Sequence, residues 1–146
     1  MRDLTFVTVG DGPEDVIFDD RGRVLTGLRN EGRIVRVDPD SGAVEEIAQV
    51  GGMPLGLDWL PDGRLLVCNA KAGLQAVDVA TGAVSPVPVR GVTLHLANNP
   101  HVMPDGTIFV SDSSAAYPLE EYQKDIIEDT GTGKPVYRLF TRKTRL

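Results

Sequence analysis

With Cys68 as its only cysteine, the chain can form no internal disulfide and no cysteine cluster of the kind that holds a metal. Its neighbours Val67 and Asn69 put the thiol in a strand, as a small buried side chain. Long apolar runs are also missing. None approaches a membrane span, and Met1 to Gly10 lacks the basic-then-apolar order of a signal peptide, so a cytoplasmic location is expected. Basic residues are few: 15 Lys and Arg stand against 21 Asp and Glu, a formal charge of −6, which weighs against nucleic acid because phosphate backbones attract basic faces. What the chain does have is 146 residues with 41% hydrophobic content, enough for one folded, soluble domain with a core.

Several chemical signatures are absent on inspection. No Gly-x-Ser-x-Gly elbow occurs, so a serine-hydrolase triad has no anchor. Gly131-Thr132-Gly133-Lys134-Pro135 imitates a phosphate loop, but Glu128 replaces its first glycine and Pro135 the magnesium-binding hydroxyl. Asp38-Pro39-Asp40-Ser41-Gly42 opens like a calcium loop, yet its twelfth position is Gln49, whose amide lacks the charge of a bidentate glutamate.

The informative feature is a repeat. Asp20-Arg21-Gly22-Arg23, Pro61-Asp62-Gly63-Arg64 and Pro104-Asp105-Gly106-Thr107 recur at intervals of 41 and 43 residues, each between an apolar run and a β-rich run. Each reads as a hairpin whose glycine supplies the positive φ of a tight turn. Between them a second turn repeats 40 residues apart, as Asp38-Pro39-Asp40-Ser41-Gly42 and Asp78-Val79-Ala80-Thr81-Gly82. Two hairpins per unit make four short antiparallel strands, the content of a propeller blade. The predicted fold is all-β, a partial six-bladed β-propeller in one domain over 1–146. Blade one is expected at 14–50, blade two at 54–90 and an incomplete blade three at 96–141. Within blade three the spacing predicts a helix over about 117–129, with Pro118 in its first turn, Leu119, Tyr122 and Ile126 on one face and Gly131 as a stop. A third strand follows from Pro135 to Phe140, and then a basic segment, Arg142-Lys143-Thr144-Arg145.

Counting eight residues back from Gly22, Gly63 and Gly106 gives Glu14, Leu55 and Asn98. These open the innermost strand of each blade and would converge on the central channel. Two of the three carry side-chain oxygens, which suit a hard cation such as calcium, and Glu14 and Asn98 are the metal candidates. Asn99 and Leu55 are placed beside the substrate. His95 and His101 flank Asn98 as a base or further ligand. Asp112 matches Asn69 and Leu28 in the other blades, so a shared turn role stands beside a catalytic one for it.

Gly12-Pro13-Glu14-Asp15-Val16, Pro54-Leu55-Gly56-Leu57, Ala97-Asn98-Asn99, Val110-Ser111-Asp112-Ser113-Ser114 and Tyr117-Pro118-Leu119-Glu120-Glu121-Tyr122 resemble bacterial strictosidine-synthase-like proteins, relatives of the gluconolactonases and regucalcin. The resemblance covers residues 12 to 139. It implies a six-bladed propeller with an axial divalent cation, usually calcium, and a metal-dependent hydrolase acting on lactones or esters. The alternatives it leaves are the amine–aldehyde condensation of the plant namesake, which is carbon–nitrogen lyase chemistry, and a non-catalytic small-molecule-binding module. By position Glu14 matches the family's first-blade metal glutamate and Asn98 its channel asparagine. Asn98-Asn99-Pro100 departs from the usual Asn-Asp-Leu, and His95 stands near a position often held by arginine. The remaining ligands of the family, and the plant enzyme's catalytic glutamate, belong to later blades that these 146 residues do not contain. Three blades do not close a ring, so the expectation is either a truncated form or a homodimer that completes the propeller.

Overall fold

A computed structural model describes residues 6–114, 116, 117 and 119–140, the last seven of them through their backbone. Three antiparallel sheets follow one another along the chain. The first contains β1 (Pro13–Phe18), β2 (Val24–Leu28), β3 (Arg33–Val37) and β4 (Val44–Gln49) in sequential order. The second repeats the pattern with β5 (Pro54–Trp59), β6 (Leu65–Asn69), β7 (Gly73–Val77) and β8 (Val84–Pro86). In the third, β9 (Ala97–Val102), β10 (Thr107–Asp112) and β11 (Lys134–Phe140) pair in that order. This is the all-β partial propeller that the turn spacing predicts.

The turns repeat down to single hydrogen bonds. Gly22, Gly63 and Gly106, all at positive φ, donate N–H to the carbonyls of Asp19, Leu60 and Met103 at 3.1, 2.9 and 2.8 Å. In the second turn Gly42 and Gly82 donate to Asp38 and Asp78, both at 2.8 Å. The Asp38 carboxylate accepts the N–H groups of Asp40 and Ser41, and Asp78 accepts those of Ala80 and Thr81. An Asx turn therefore closes each outer hairpin.

Packing explains why the sheets stack. Strand alternation turns successive side chains to opposite faces. In β6, Leu65 and Val67 join Leu25, Ile34 and Ala48 in the layer between sheets one and two. Leu66 and Cys68 join Ile108 and Val110 in the layer between sheets two and three. Every residue of β6 is buried, since the strand faces an apolar layer on each side.

A long excursion separates β10 from β11. It holds a 3-10 turn, Leu119–Glu121, and one short helix, α1 (Tyr122–Ile127). The helix is shorter than the spacing predicts, because Asp129 already adopts a left-handed φ of 48° before Gly131 is reached. None of its residues is buried, so the predicted apolar face does not pack on the sheets. Pro118 and the basic segment 142–145 lie outside the described residues. No helix among the described residues is long and apolar enough to cross a membrane.

Candidate functional site

Each innermost strand is irregular at the same place. β1 pairs Pro13 with Leu28 and Val16 with Thr26, so Glu14 and Asp15 together oppose Gly27. β5 repeats this, with Leu55 and Gly56 opposing Cys68, and so does β9, with Asn98 and Asn99 opposing Ser111. Each is a β-bulge, two residues against one, a device that re-aims side chains and is frequent beside active sites. All four residues named from sequence as metal or substrate contacts sit in these bulges.

Neighbouring bulges touch. A Cβ on Gly56 would stand 2.4 Å from the Asn98 carbonyl oxygen and 2.8 Å from Asn99 Cα, so only glycine lets β9 approach β5 this closely. On the other side the Asp15 carboxylate accepts the Leu57 N–H at 2.9 Å. The three leading strand ends are thereby held side by side. The chain around them is fixed in the same way in every sheet. Arg29, Ala70 and Ser113 donate N–H to the carbonyls of Gly12, Met53 and Leu96 at 2.9, 2.9 and 3.0 Å.

The individual side chains differ in character. Glu14 is exposed and makes no hydrogen bond or ion pair among the described residues. Asn98 is half-buried, and its Nδ2 donates to Ser113 Oγ at 2.9 Å, which fixes the amide plane. Asn99 is exposed. Its N–H donates to Ser111 Oγ at 3.0 Å, and that hydroxyl in turn donates to the Asn99 carbonyl at 3.4 Å, so one serine serves the backbone of the bulge. Leu55, in the bulge of β5, is only 7% exposed. Among the described residues no three of His, Cys, Asp and Glu cluster as a metal would require.

Of the remaining candidates, Asp112 serves the backbone. Asp112 is buried, and its two oxygens accept the N–H groups of Leu96 at 2.7 Å and His95 at 3.1 Å. Asn69 does the equivalent work in sheet two, where its Oδ1 accepts from Met53 at 2.9 Å and its Nδ2 donates to the Gly51 carbonyl at 2.9 Å. The turn role shared by these two positions is thus the one the hydrogen bonds display. The His95 side chain is exposed. His101 is 72% exposed, with Nδ1 at 3.5 Å from Asp58 Oδ2.

Sequence reasoning missed Asp15 and Asp58 as ties between blades. Asp58 Oδ2 accepts the Val102 N–H at 2.6 Å, as Asp15 does for Leu57. The available signal was an acid in an otherwise apolar inner strand, a side chain that needs a donor if it is to be buried. Ser113, which orients Asn98, also went unrecognised. Trp59 bridges blades too, donating Nε1–H to the Phe18 carbonyl at 2.8 Å. Burial pushes the Cys68 thiol far above its ordinary range, and the Asp15 charge adds to this, so it stays a neutral side chain of the core.

Comparison with known proteins agrees with this geometry. A family profile described as "Strictosidine synthase-like, N-terminal" matches residues 1–37. Protein STRICTOSIDINE SYNTHASE-LIKE 6 of Arabidopsis thaliana is 30% identical over 93% of the chain, which covers 38% of that protein. The chain thus spans about two fifths of the length of the curated relatives it matches. Among solved structures, a protein of unknown function from Bacteroides caccae superposes with a TM-score of 0.68 at 14% identity, over 87% of this chain and 45% of that one. A gluconolactonase from Xanthomonas campestris superposes with a TM-score of 0.58 at 19% identity, over 73% and 36%. The repeated blades, the bulged inner strands and the sequence matches together show a β-propeller chain that resembles the N-terminal two fifths of strictosidine synthase-like proteins.

Proposed function

We propose that the bulged ends of the inner strands form the site of a metal-dependent hydrolase of the lactonase or esterase type. Glu14 and Asn98 hold the cation, and Asn99 and Leu55 lie beside the substrate. The observation that carries this reading is Glu14, an acid presented by a bulge with no structural partner among the described residues. An acid that only stabilised the fold would be expected to accept a hydrogen bond, as Asp15, Asp58 and Asp112 all do. Likeness to a solved gluconolactonase agrees with this choice of chemistry.

The donors fit a hard cation in kind: one carboxylate and one amide oxygen, with no soft ligand beside them. They are two of the six to eight oxygens that calcium takes, so water, substrate or further blades supply the rest. A cation bound there would polarise a carbonyl and offset the charge developing on its oxygen. The chain's own contribution is positional. Ser113 holds the Asn98 amide by its Nδ2, which leaves Oδ1 as the atom to present. Leu55, buried in the bulge of β5 between those of β1 and β9 in the chain, would add an apolar contact to the substrate.

Calcium titration by calorimetry, with a panel of lactones and aryl esters assayed at each calcium level, tests the reading. Glu14→Gln is expected to weaken calcium binding by about tenfold or more, and turnover is expected to follow calcium occupancy. Unchanged calcium affinity in Glu14→Gln overturns the metal site. Ligand binding without turnover at saturating calcium would favour a non-catalytic binding propeller.

A further inference from the structure

The backbone that leads into each bulge is held by a side chain, and sheet one does this differently from the other two. Counted from the turn glycines, Leu28, Asn69 and Asp112 are equivalent, each six residues after Gly22, Gly63 or Gly106. Eleven residues before the same glycines stand Asp11, Gly52 and His95, and ten before them Gly12, Met53 and Leu96. In sheet three the Asp112 carboxylate accepts the N–H groups of His95 and Leu96, and in sheet two Asn69 Oδ1 accepts that of Met53. Leu28 is apolar and completely buried, so sheet one has no side-chain acceptor at this position.

Glu31 supplies one from the turn between β2 and β3. Its Oε1 accepts the Asp11 N–H, the amide equivalent to the one that Asp112 takes from His95. Turn and lead-in pack closely around this bond: a Cβ on Gly10 would stand 2.6 Å from Glu31 Oε1, and one on Gly12 2.8 Å from Asn30 Nδ2. The other carboxylate oxygen, Oε2, pairs with Arg33 Nη2 of β3, and Arg33 Nη1 pairs in turn with Glu46 Oε2 of β4 at 2.9 Å. The Asp11 N–H and the Arg33 guanidinium hold the Glu31 carboxyl below the ordinary carboxylate range. A relay of side chains thus runs from the outer strand of sheet one to the backbone three residues before Glu14. The Glu14 side chain makes no bond of its own among the described residues, so the backbone of the bulge decides where it stands.

We propose that Glu31 is a positioning residue for Glu14: by holding the Asp11 amide it fixes the entry to the β1 bulge, and with it the direction of the Glu14 carboxylate. This rests on the reading of Glu14 as a cation ligand. Groups that orient a ligand without touching the ion commonly matter tenfold or more for metal affinity. Arg33 and Glu46 serve the same end one step further out, since they keep the Glu31 carboxylate from swinging away from the Asp11 amide. A plain stabilising role predicts another profile. Partly exposed ion pairs add little to folding, so a purely structural Glu31 would leave the affinity of the folded protein alone.

Calcium titration by calorimetry on the folded variants tests it, with Glu14→Gln measured alongside. Glu31→Ala is expected to weaken calcium binding by about tenfold. Glu31→Gln keeps an oxygen for the Asp11 N–H and should recover most of that loss. Should Glu31→Ala not fold, Glu31→Asp takes its place, because its carboxylate stops one methylene short of the amide and must weaken calcium as well. If Glu14→Gln weakens calcium and the Glu31 variants do not, the positioning role is overturned and the metal site stands. If the wild type binds no calcium, or Glu14→Gln binds it unchanged, the metal site fails and the proposal fails with it. Amide chemical shifts of Glu14 and Asp15, recorded without metal, read the placement directly. They must move in Glu31→Ala and return in Glu31→Gln, and shifts that stay put in Glu31→Ala overturn the proposal whatever calcium does.

Discussion

Asp58 accepts the backbone N–H of Val102 across the gap between the second and third inner strands, with its Oδ2 2.6 Å from the amide nitrogen. Inner strands of neighbouring blades run side by side without a ladder between them, so their facing amides need other partners. The carboxylates of Asp15 and Asp58 fill that need, each for the blade that follows. Replacing Asp58 by leucine should destabilise the protein by about 1–3 kcal/mol, the cost of stranding a partly buried donor. Asp58→Asn keeps an acceptor and should lose less. Urea unfolding midpoints of the two variants check the order.

Asp112 provides a second contrast. Its carboxylate is committed to the N–H groups of His95 and Leu96, so Asp112→Ala should cost about 2–5 kcal/mol by leaving both unpaired. Any loss of ligand binding should follow loss of folded protein in a thermal melt. A fully stable Asp112→Ala that lost only binding would contradict the backbone role.

Gly56→Ala tests how closely the strands approach. The added methyl would meet the backbone of Asn98 and Asn99, not a movable side-chain tip, so β9 must shift. A loss of about 1–3 kcal/mol is expected from overpacking, together with weakened ligand binding, because the shift moves the Asn98 bulge. Gly63→Ala meets nothing within 4 Å and should suffer only from its φ of 86°. Comparing the two separates crowding from backbone strain.

Acid should loosen the outer turns. The Ser41 N–H and hydroxyl hold the Asp38 carboxyl below its ordinary range, and the N–H groups of Thr81 and Ala80 do the same for Asp78. A carboxyl whose folded pKa is depressed adds stability that is complete above its unfolded pKa of about 4 and is lost as pH falls through the folded value. Unfolding midpoints should therefore drop below about pH 4. The drop should be smaller in Asp38→Asn/Asp78→Asn, whose amides do not titrate.

Cys68 should report unfolding. Completely buried and with its pKa raised, the thiol should react with an aromatic disulfide reagent only as fast as the molecule opens. Fast labelling in native buffer would mean that the layer between sheets two and three is loose.

The blades were legible because a tight turn demands a particular residue: Gly22, Gly63 and Gly106 announce three hairpins without reference to anything distant. The bulges were not. Whether two residues oppose one depends on the partner strand, and nothing within Pro54-Leu55-Gly56-Leu57 states it. Counting from the glycines still found Glu14, Leu55 and Asn98, since a bulge at the same place in each blade preserves the count. Asp15 and Asp58 escaped notice because their partners lie 42 and 44 residues away. Asp112 left a turn role and a catalytic one both open in the sequence, because the His95 and Leu96 amides it binds lie 17 and 16 residues away and only the fold brings them together. The helix ran shorter than its pattern, since Asp129 turns to a left-handed φ before Gly131 is reached.

Consider finally β6, which turns Leu65 and Val67 one way and Leu66 and Cys68 the other. A polypeptide emerging from the ribosome completes the first two sheets before the third exists. During that interval a stripe of leucine beside the lone thiol is bare to solvent or to a waiting chaperone, and it vanishes when β9 and β10 arrive. Newly made chains stalled between Val77 and Ala97 would thus be the form most prone to stick together and to be oxidised.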